Sequence, residues 1–437
     1  MDWQKKYQNR IISAAQAAAM VNSGDTLAVN VVDNIPYLIM DALADELDRG
    51  LTDITVNGMA LARKPMRILD PVYADRVRFV NFFWGGIERK AAAAGAKISY
   101  QPIHLHARRA DALYGRKTRI YMTAVSAPDE NGLVSTAPVP VDADTLSMYD
   151  IVIVQVNEKL PYICGNRSKI SLDDVDFIVD GPENIIQTPS SQPGETEQKI
   201  ASFVAERIPD GACVQLGIGG LGNAIGGCIK DKRHLGIHSE LFVDAYVDLI
   251  ECGAADNSRK NICPGKSEFG FTILNDRIAK LLDNNSEIEA APFSWINDPR
   301  VICQIDNMIS INSAMEADVT GQIAAEGIGS KHHSGTGGQV DFIRGARWSK
   351  GGKSFICLPS SFKDKEGNLH SKISVNFAPG TPVTTPRADV QYLVTEYGIA
   401  DLEFCSLSER AEKIISIAHP AFREELTYQA KKAGIFA

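Results

Sequence analysis

The chain has no Cys-x-x-Cys pair, no apolar run long enough to cross a bilayer, and no excess of positive charge. Each absence removes a class of protein. Its eight cysteines (164, 213, 228, 252, 263, 303, 357, 405) are scattered singly, which argues against a zinc ribbon or a disulfide scaffold. Their placement in apolar stretches, such as Cys213 in "ACVQLG" and Cys357 in "SFICLPS", predicts small core residues in a reducing cytoplasm. Net charge is −9 and the sequence pI is near 5.5, so neither nucleic acid nor an anionic membrane is the expected partner. An anionic small molecule held by a glycine loop or a helix N-terminus stays compatible with that charge. The opening "MDWQKKYQNRIISAAQAAAMVNSGD" has no apolar core and no cleavage signature, so no signal peptide is expected. The histidine pairs His104/His106 and His332/His333 lack ligand spacing and accompanying acids or thiols, so no metal site is predicted.

What is present points to a duplicated α/β chain. Its 437 residues suit two domains of roughly 200 residues each. "SAAQAAAMVNSGD" offers a Ser-x-x-Gln capping box at Ser13, helix formers, and Gly24 as terminator, before the strand "DTLAVNVV". "TEQKIASFVAERIPDG" repeats that order, with Ile200, Phe203, Val204 and Ile208 on one face and Gly211 as terminator, before "ACVQLGIG". Two further correspondences run in the same order: Asp129 of "SAPDENGLVS" with Asp318 of "EADVTGQIA", and Asp150 before "IVIVQV" with Asp389 before "VQYLVT". Together they predict an internal repeat, with a Pro/Ser/Gly-rich boundary at residues 187–198 and domains of 1–190 and 191–437. The strands read as continuous apolar runs, which favours sheets covered by helices on both faces. The expected architecture is two similar open α/β domains with ligand crevices at the carboxyl ends of the strands.

Glycine marks the candidate sites. "GIGGLG" (Gly217 to Gly222) follows a strand and precedes a helix, matching Gly-x-Gly-x-x-Gly, and Glu240 stands near where a dinucleotide fold places its ribose-binding acid. Against an NAD site, neither half supplies an evident hydride-transfer centre. In "SGTGGQVDF", glycines 335, 337 and 338 occupy three of four positions, an entropic cost best explained by backbone amides approaching a ligand.

"QLGIGG", "GIHSE", "SGTGGQVDFIRGA" with "SKGGK", and "YLVTEYGIADL" followed by "AHPAFREEL" together resemble the acetyl-CoA hydrolase/transferase family, and within it the 4-hydroxybutyrate and butyrate CoA-transferases. The likeness covers essentially the whole chain. It implies the CoA-transferase fold, internally duplicated, with the active site at the domain interface. The family's nucleophilic glutamate falls on Glu240. Its CoA-contacting loop falls on Gly217, Ile218, Gly219, Gly220 and Leu221, with further contacts at Gly338 and Asn312. The resemblance implies a CoA-transferase acting between short-chain acids, such as 4-hydroxybutyryl- or butyryl-CoA and acetate, through a glutamyl-CoA thioester in a ping-pong sequence. The alternative is a short-chain acyl-CoA hydrolase. Coenzyme A enters as substrate with no permanently bound cofactor, and a cytoplasmic homodimer or higher assembly is implied.

The chain also departs from the family pattern. Many relatives read Gly-Ile-Gly-x-Ile-Pro-x-Ala, where Gly222 and Asn223 stand here, so a looser loop is expected. His332 and His333 replace a smaller or amide-bearing residue. Backbone amides near Asn223 and Gly338 are the expected oxyanion donors. Asp33, Asn34 and Pro36, with Phe82 to Lys90, are candidates to line the acid pocket.

Overall fold

A computed structural model of the chain describes residues 2–107 and 118–436. They form two compact units. One comprises Met1–Thr188 and Glu268–Ile296, the other Pro189–Ser267 and Asn297–Ala437.

The first unit is built on seven parallel strands: β1 (Thr26–Val29), β2 (Ile54–Gly58), β3 (Val77–Asn81), β4 (Ile98–Tyr100), β5 (Ile120–Val125), β6 (Ile151–Val156) and β7 (Phe177–Asp180). They lie in the order β4-β3-β2-β1-β5-β6-β7. Helices α1 (Ala14–Ala18) and α2 (Tyr37–Asp48) share an apolar core with one face of the sheet, through Leu27, Val29, Ile54, Val56, Phe79 and Met122. The capping box at Ser13 is formed with Gln16, although α1 ends at Ala18, well short of Gly24.

The second unit carries β8 (Cys213–Gln215), β9 (Gly236–Phe242), β10 (Met308–Ser313), β11 (Lys353–Cys357), β12 (Tyr392–Thr395) and β13 (Gly398–Asp401). Their order is β9-β8-β10-β11-β12-β13. Only the last pair is antiparallel. The order β2-β1-β5-β6-β7 thus recurs as β9-β8-β10-β11-β12, a repeated doubly wound topology. In each unit the chain reverses direction across the sheet at one place, β1/β5 in the first and β8/β10 in the second. Open α/β sheets bind ligands at the carboxyl ends of the strands flanking such a switch point.

Asp129 and Asp318 are equivalent down to their atoms. Each Oδ1 accepts the N–H groups two and four residues on, from Asn131 and Leu133 in one copy and Thr320 and Gln322 in the other. In both copies the third residue after the aspartate is a glycine with positive φ, Gly132 at 83° and Gly321 at 94°, where a Cβ would be strained.

The pairing of Asp150 with Asp389 is corrected by the strand order. Asp389 precedes β12, whose place in the sheet is that of β7, whereas Asp150 precedes β6, whose counterpart is β11. Short apolar strands in one sheet look alike, so the sequence match slipped by one strand.

The division of the chain also differs from the expected single cut. Glu268–Ile296 clusters with the first unit, and several of its hydrogen bonds are made there. Leu274 N–H donates to Asp33 and Thr272 N–H to the Pro138 carbonyl. Tyr162 N–H donates to Asp283, and Arg167 stacks on the Trp295 ring. The cysteines split too. Cys213 and Cys357 are buried as expected, but Cys228 and Cys252 are exposed and the other four are half-buried.

Candidate active site

Glu240 is the fifth residue of β9, in "GIHSELF". Its register follows from the neighbouring strand. Val214 pairs with Ile237, and three residues further along each chain stand Gly217 and Glu240. The glycine bend therefore leaves β8 at the level where Glu240 leaves the sheet's interior.

The carboxylate is held from two sides. Asn297 Nδ2 donates to Glu240 Oε2 at 2.8 Å. The backbone N–H of Gly338 favours the charged form of the same carboxylate. Gly338 is the N-cap of α6 (Gln339–Trp348), so the positive end of a helix dipole faces the anion. The glycine is a steric necessity: a Cβ at 338 would overlap Glu240 Oε2 and Asn297 Nδ2. Gly337 before it has φ +56°, which turns the chain toward the carboxylate.

Burial is the largest influence on Glu240 and raises its pKa, the Asn297 bond lowers it, the Asp341 charge raises it, and the Gly338 N–H lowers it. The outcome is a carboxyl pushed up to about 7. Asp341 is itself buried in the first turn of α6. Such a group is available both as an anion and as an acid near neutral pH, a hallmark of chemistry rather than of folding.

The glycine bend runs from the end of β8 into α5 (Gly220–Cys228). Tyr246, fully buried, pins its start. The Tyr246 oxygen accepts from Leu216 N–H at 2.7 Å, and its hydroxyl faces the Val214 carbonyl at 3.3 Å. Gly219, at φ +101°, caps the helix. Ile218 remains 62% exposed at the tip, an apolar side chain presented beside free helix-end amides. Asn312 stands at the end of β10, across the switch point, and bonds Ser310 Oγ and Gln215 Oε1. The structure thus brings Glu240 and Gly338 into contact and sets Gly217, Ile218, Gly219, Gly220, Leu221 and Asn312 around one switch point.

Two expectations about the site are corrected and a third is narrowed. Gly222 does not loosen the bend. The Gly217 carbonyl packs so closely on it that a Cβ there would collide, so glycine permits a tighter fold-over. Among the amides near Asn223, its own N–H is taken by Gly219 O within the helix, and its side chain holds Ser190 and Ser191, which leaves the preceding amides of the bend as the candidates. Asn34 does not line an acid pocket. It is fully buried and bonds Ala124 O, Thr136 O and Val139 N–H, closing the β1/β5 switch point from within. Asp33 beside it is pushed up to about 6 by burial, offset by the Arg63 charge and the Leu274 N–H.

Sequence reasoning missed Asn297 and Asp341. Asp341 lies inside the quoted "SGTGGQVDF", and its position in the first turn after Gly338 was the available signal. Asn297, in "SWINDP", carries none.

The same chain matches the acetyl-CoA hydrolase/transferase N-terminal domain over residues 1–188 and the C-terminal domain of that family over residues 275–430. The chain belongs to the acetyl-CoA hydrolase/transferase family. Among similar members, the butyryl-CoA:acetate CoA-transferase of Anaerostipes caccae is 37% identical, covering 100% of this chain and 99% of its own. The 4-hydroxybutyrate coenzyme A transferase of Clostridium kluyveri is 33% identical, covering 99% and 100%. The crystal structure of RipA from Yersinia pestis superposes with a TM-score of 0.90 at 32% identity over all of both chains. In this family member the two α/β units and their parallel sheets agree with the expected architecture.

Proposed function

We propose that the chain is a CoA-transferase that exchanges CoA between short-chain carboxylic acids, with Glu240 as the nucleophile. The observation that carries this reading is the single carboxylate bonded by Asn297 Nδ2, with the Gly338 backbone packed so close that it leaves no room for a Cβ. The named activities of the similar CoA-transferases support it.

Glu240 attacks the thioester carbonyl of the acyl-CoA. The C–S bond breaks, CoA thiolate leaves, and an acyl-glutamyl anhydride remains. The thiolate then attacks the glutamyl carbonyl, the anhydride C–O bond breaks, and the donor acid leaves as its carboxylate. The second carboxylate attacks the resulting glutamyl-CoA thioester, and the same steps run in reverse until Glu240 is released as an anion. No charge is created or lost over the cycle.

When the glutamyl carbon becomes tetrahedral, its oxygen carries the developing charge. The donors already on Glu240, from Asn297 and Gly338, are in place for that oxyanion, each worth about 3–4 kcal/mol in such roles. Gly217, Ile218, Gly219, Gly220, Leu221 and Asn312 form the CoA-binding edge, where remote binding energy positions the thioester. CoA thioester and carboxylate as substrates, no resident cofactor, and a cytoplasmic homodimer belong to the same proposal.

Incubation with butyryl-CoA followed by peptide mass spectrometry tests it. A CoA adduct on the peptide bearing Glu240 is expected, and an unmodified Glu240 in a turning-over enzyme would overturn the nucleophile assignment. Thiol release measured with and without acetate separates exchange from hydrolysis. Release that is independent of any acceptor acid would favour the hydrolase.

A further inference from the structure

The first unit carries a cavity of about 740 Å³, all of whose described lining residues belong to that unit. Its floor is the face of the parallel sheet opposite the core of α1 and α2. A parallel sheet is normally apolar on both faces. Here the core face shows Leu27, Val29, Ile54, Val56 and Phe79, while the cavity face shows Thr26, Ala28, Thr55, Asn57, Arg78 and Ser99. Along β1, β2 and β3 apolar core residues therefore alternate with residues that face the cavity, which are polar except Ala28 and Val80.

Three features of the cavity specify what fits. Among the described lining residues Arg78 is the one cation and none is acidic. Its Nε donates to Thr55 Oγ1 at 2.7 Å, and Asp53 lies 3.5 Å from a terminal nitrogen, so the guanidinium keeps donors for one anionic group. The floor is polar, with Asn57 Nδ2 donating to Thr118 Oγ1 at its edge. The walls are flat and aromatic: Tyr100, Phe82, Phe293, and the Tyr121–Tyr149 pair with ring centroids 5.0 Å apart.

We propose that this cavity is a second ligand site, for an organic anion of mononucleotide size with one phosphate or carboxylate and a flat ring. The anion pairs with Arg78 and the ring lies against the tyrosines. The volume falls in the ~300–1,000 Å³ range of small-molecule sites. A short aliphatic acid would leave most of it empty, and the one cation among the described lining residues matches a single anionic group. An acyl chain would desolvate the hydroxyls and amides of the floor without pairing them.

Calorimetric titration of the full-length protein with adenosine 5′-monophosphate, phenyl phosphate and butyrate tests this, each on wild type, Arg78→Gln and the cavity-filling Ala28→Phe. Circular dichroism establishes that each variant is folded. The expected result is saturable binding of at least one ring-bearing anion, weakened tenfold or more by Arg78→Gln and abolished in folded Ala28→Phe, with butyrate at least tenfold weaker. Absence of saturable binding by both ring anions overturns the proposal. So does an affinity unchanged in Arg78→Gln, which would place the ligand at the glycine bend, or butyrate binding as well as the ring anions. None of these outcomes depends on Glu240 being the nucleophile.

Discussion

Replacing Glu240 with glutamine sets stability against chemistry at one atom. The wild-type carboxyl is pushed from 4.5 to about 7, so the folded protein holds that proton more tightly than the unfolded chain does. The stabilisation from this proton is fully present below pH 4.5. It is lost as pH rises through about 7, above which the native state carries a buried anion that the unfolded chain would hydrate more favourably. A shift of this size corresponds to about 3 kcal/mol, an upper bound because the side chain keeps some access to solvent. Glutamine keeps the shape and an acceptor for Asn297 and Gly338 but has no charge to bury. Glu240→Gln is therefore expected to be more stable than wild type by up to about 3 kcal/mol at pH 8, with the difference closing toward pH 4.5. Transferase turnover should fall by several orders of magnitude at every pH. Urea unfolding of both proteins at pH 4.5, 6, 7 and 8, with CoA exchange assayed in parallel, provides the measurement. A variant no more stable than wild type at pH 8, or a difference that does not change with pH, would refute the argument that Glu240 is a strained, desolvated acid.

The same electrostatics predict that Asp341→Asn, which removes a negative charge beside Glu240, lowers the apparent pKa on the acidic limb of the kcat/KM profile. An unmoved or raised limb would count against that coupling. Gly338→Ala drives a Cβ into Glu240 and Asn297 and should abolish detectable exchange while costing about 1–3 kcal/mol of stability, read by activity and chemical denaturation. Tyr246→Phe leaves Leu216 N–H without its acceptor and should cost about 1–3 kcal/mol, with KM for acyl-CoA rising more than kcat falls. Asp129→Ala and Asp318→Ala each remove the acceptor of two turn N–H groups and should destabilise by similar amounts, about 1–3 kcal/mol each, measured by urea unfolding.

Much of this was legible because backbone demands leave marks in sequence. Glycines 219, 222, 337 and 338 sit where φ is positive or a Cβ would collide, and few other residues could stand there. The twin aspartates could be read because each closes a turn through its own local backbone. The strand slip between Asp150 and Asp389 arose because a buried strand advertises only apolarity, which does not encode its place in the sheet. Asn297 was invisible for a different reason. It meets Glu240 across 57 positions of chain, and a side-chain contact between distant segments leaves no local period or motif. The cysteines misled in the opposite direction, since a small residue in an apolar stretch can still face water at Cys228 or Cys252.

The return of Glu268–Ile296 to the first unit bears on how this protein can be dissected. A fragment ending at residue 188 would lack the backbone that satisfies Asp33 and the ring beneath Arg167. The lobes are thus stitched by the polypeptide itself, and ribosomal synthesis must deliver nearly 300 residues before the first of them can be finished.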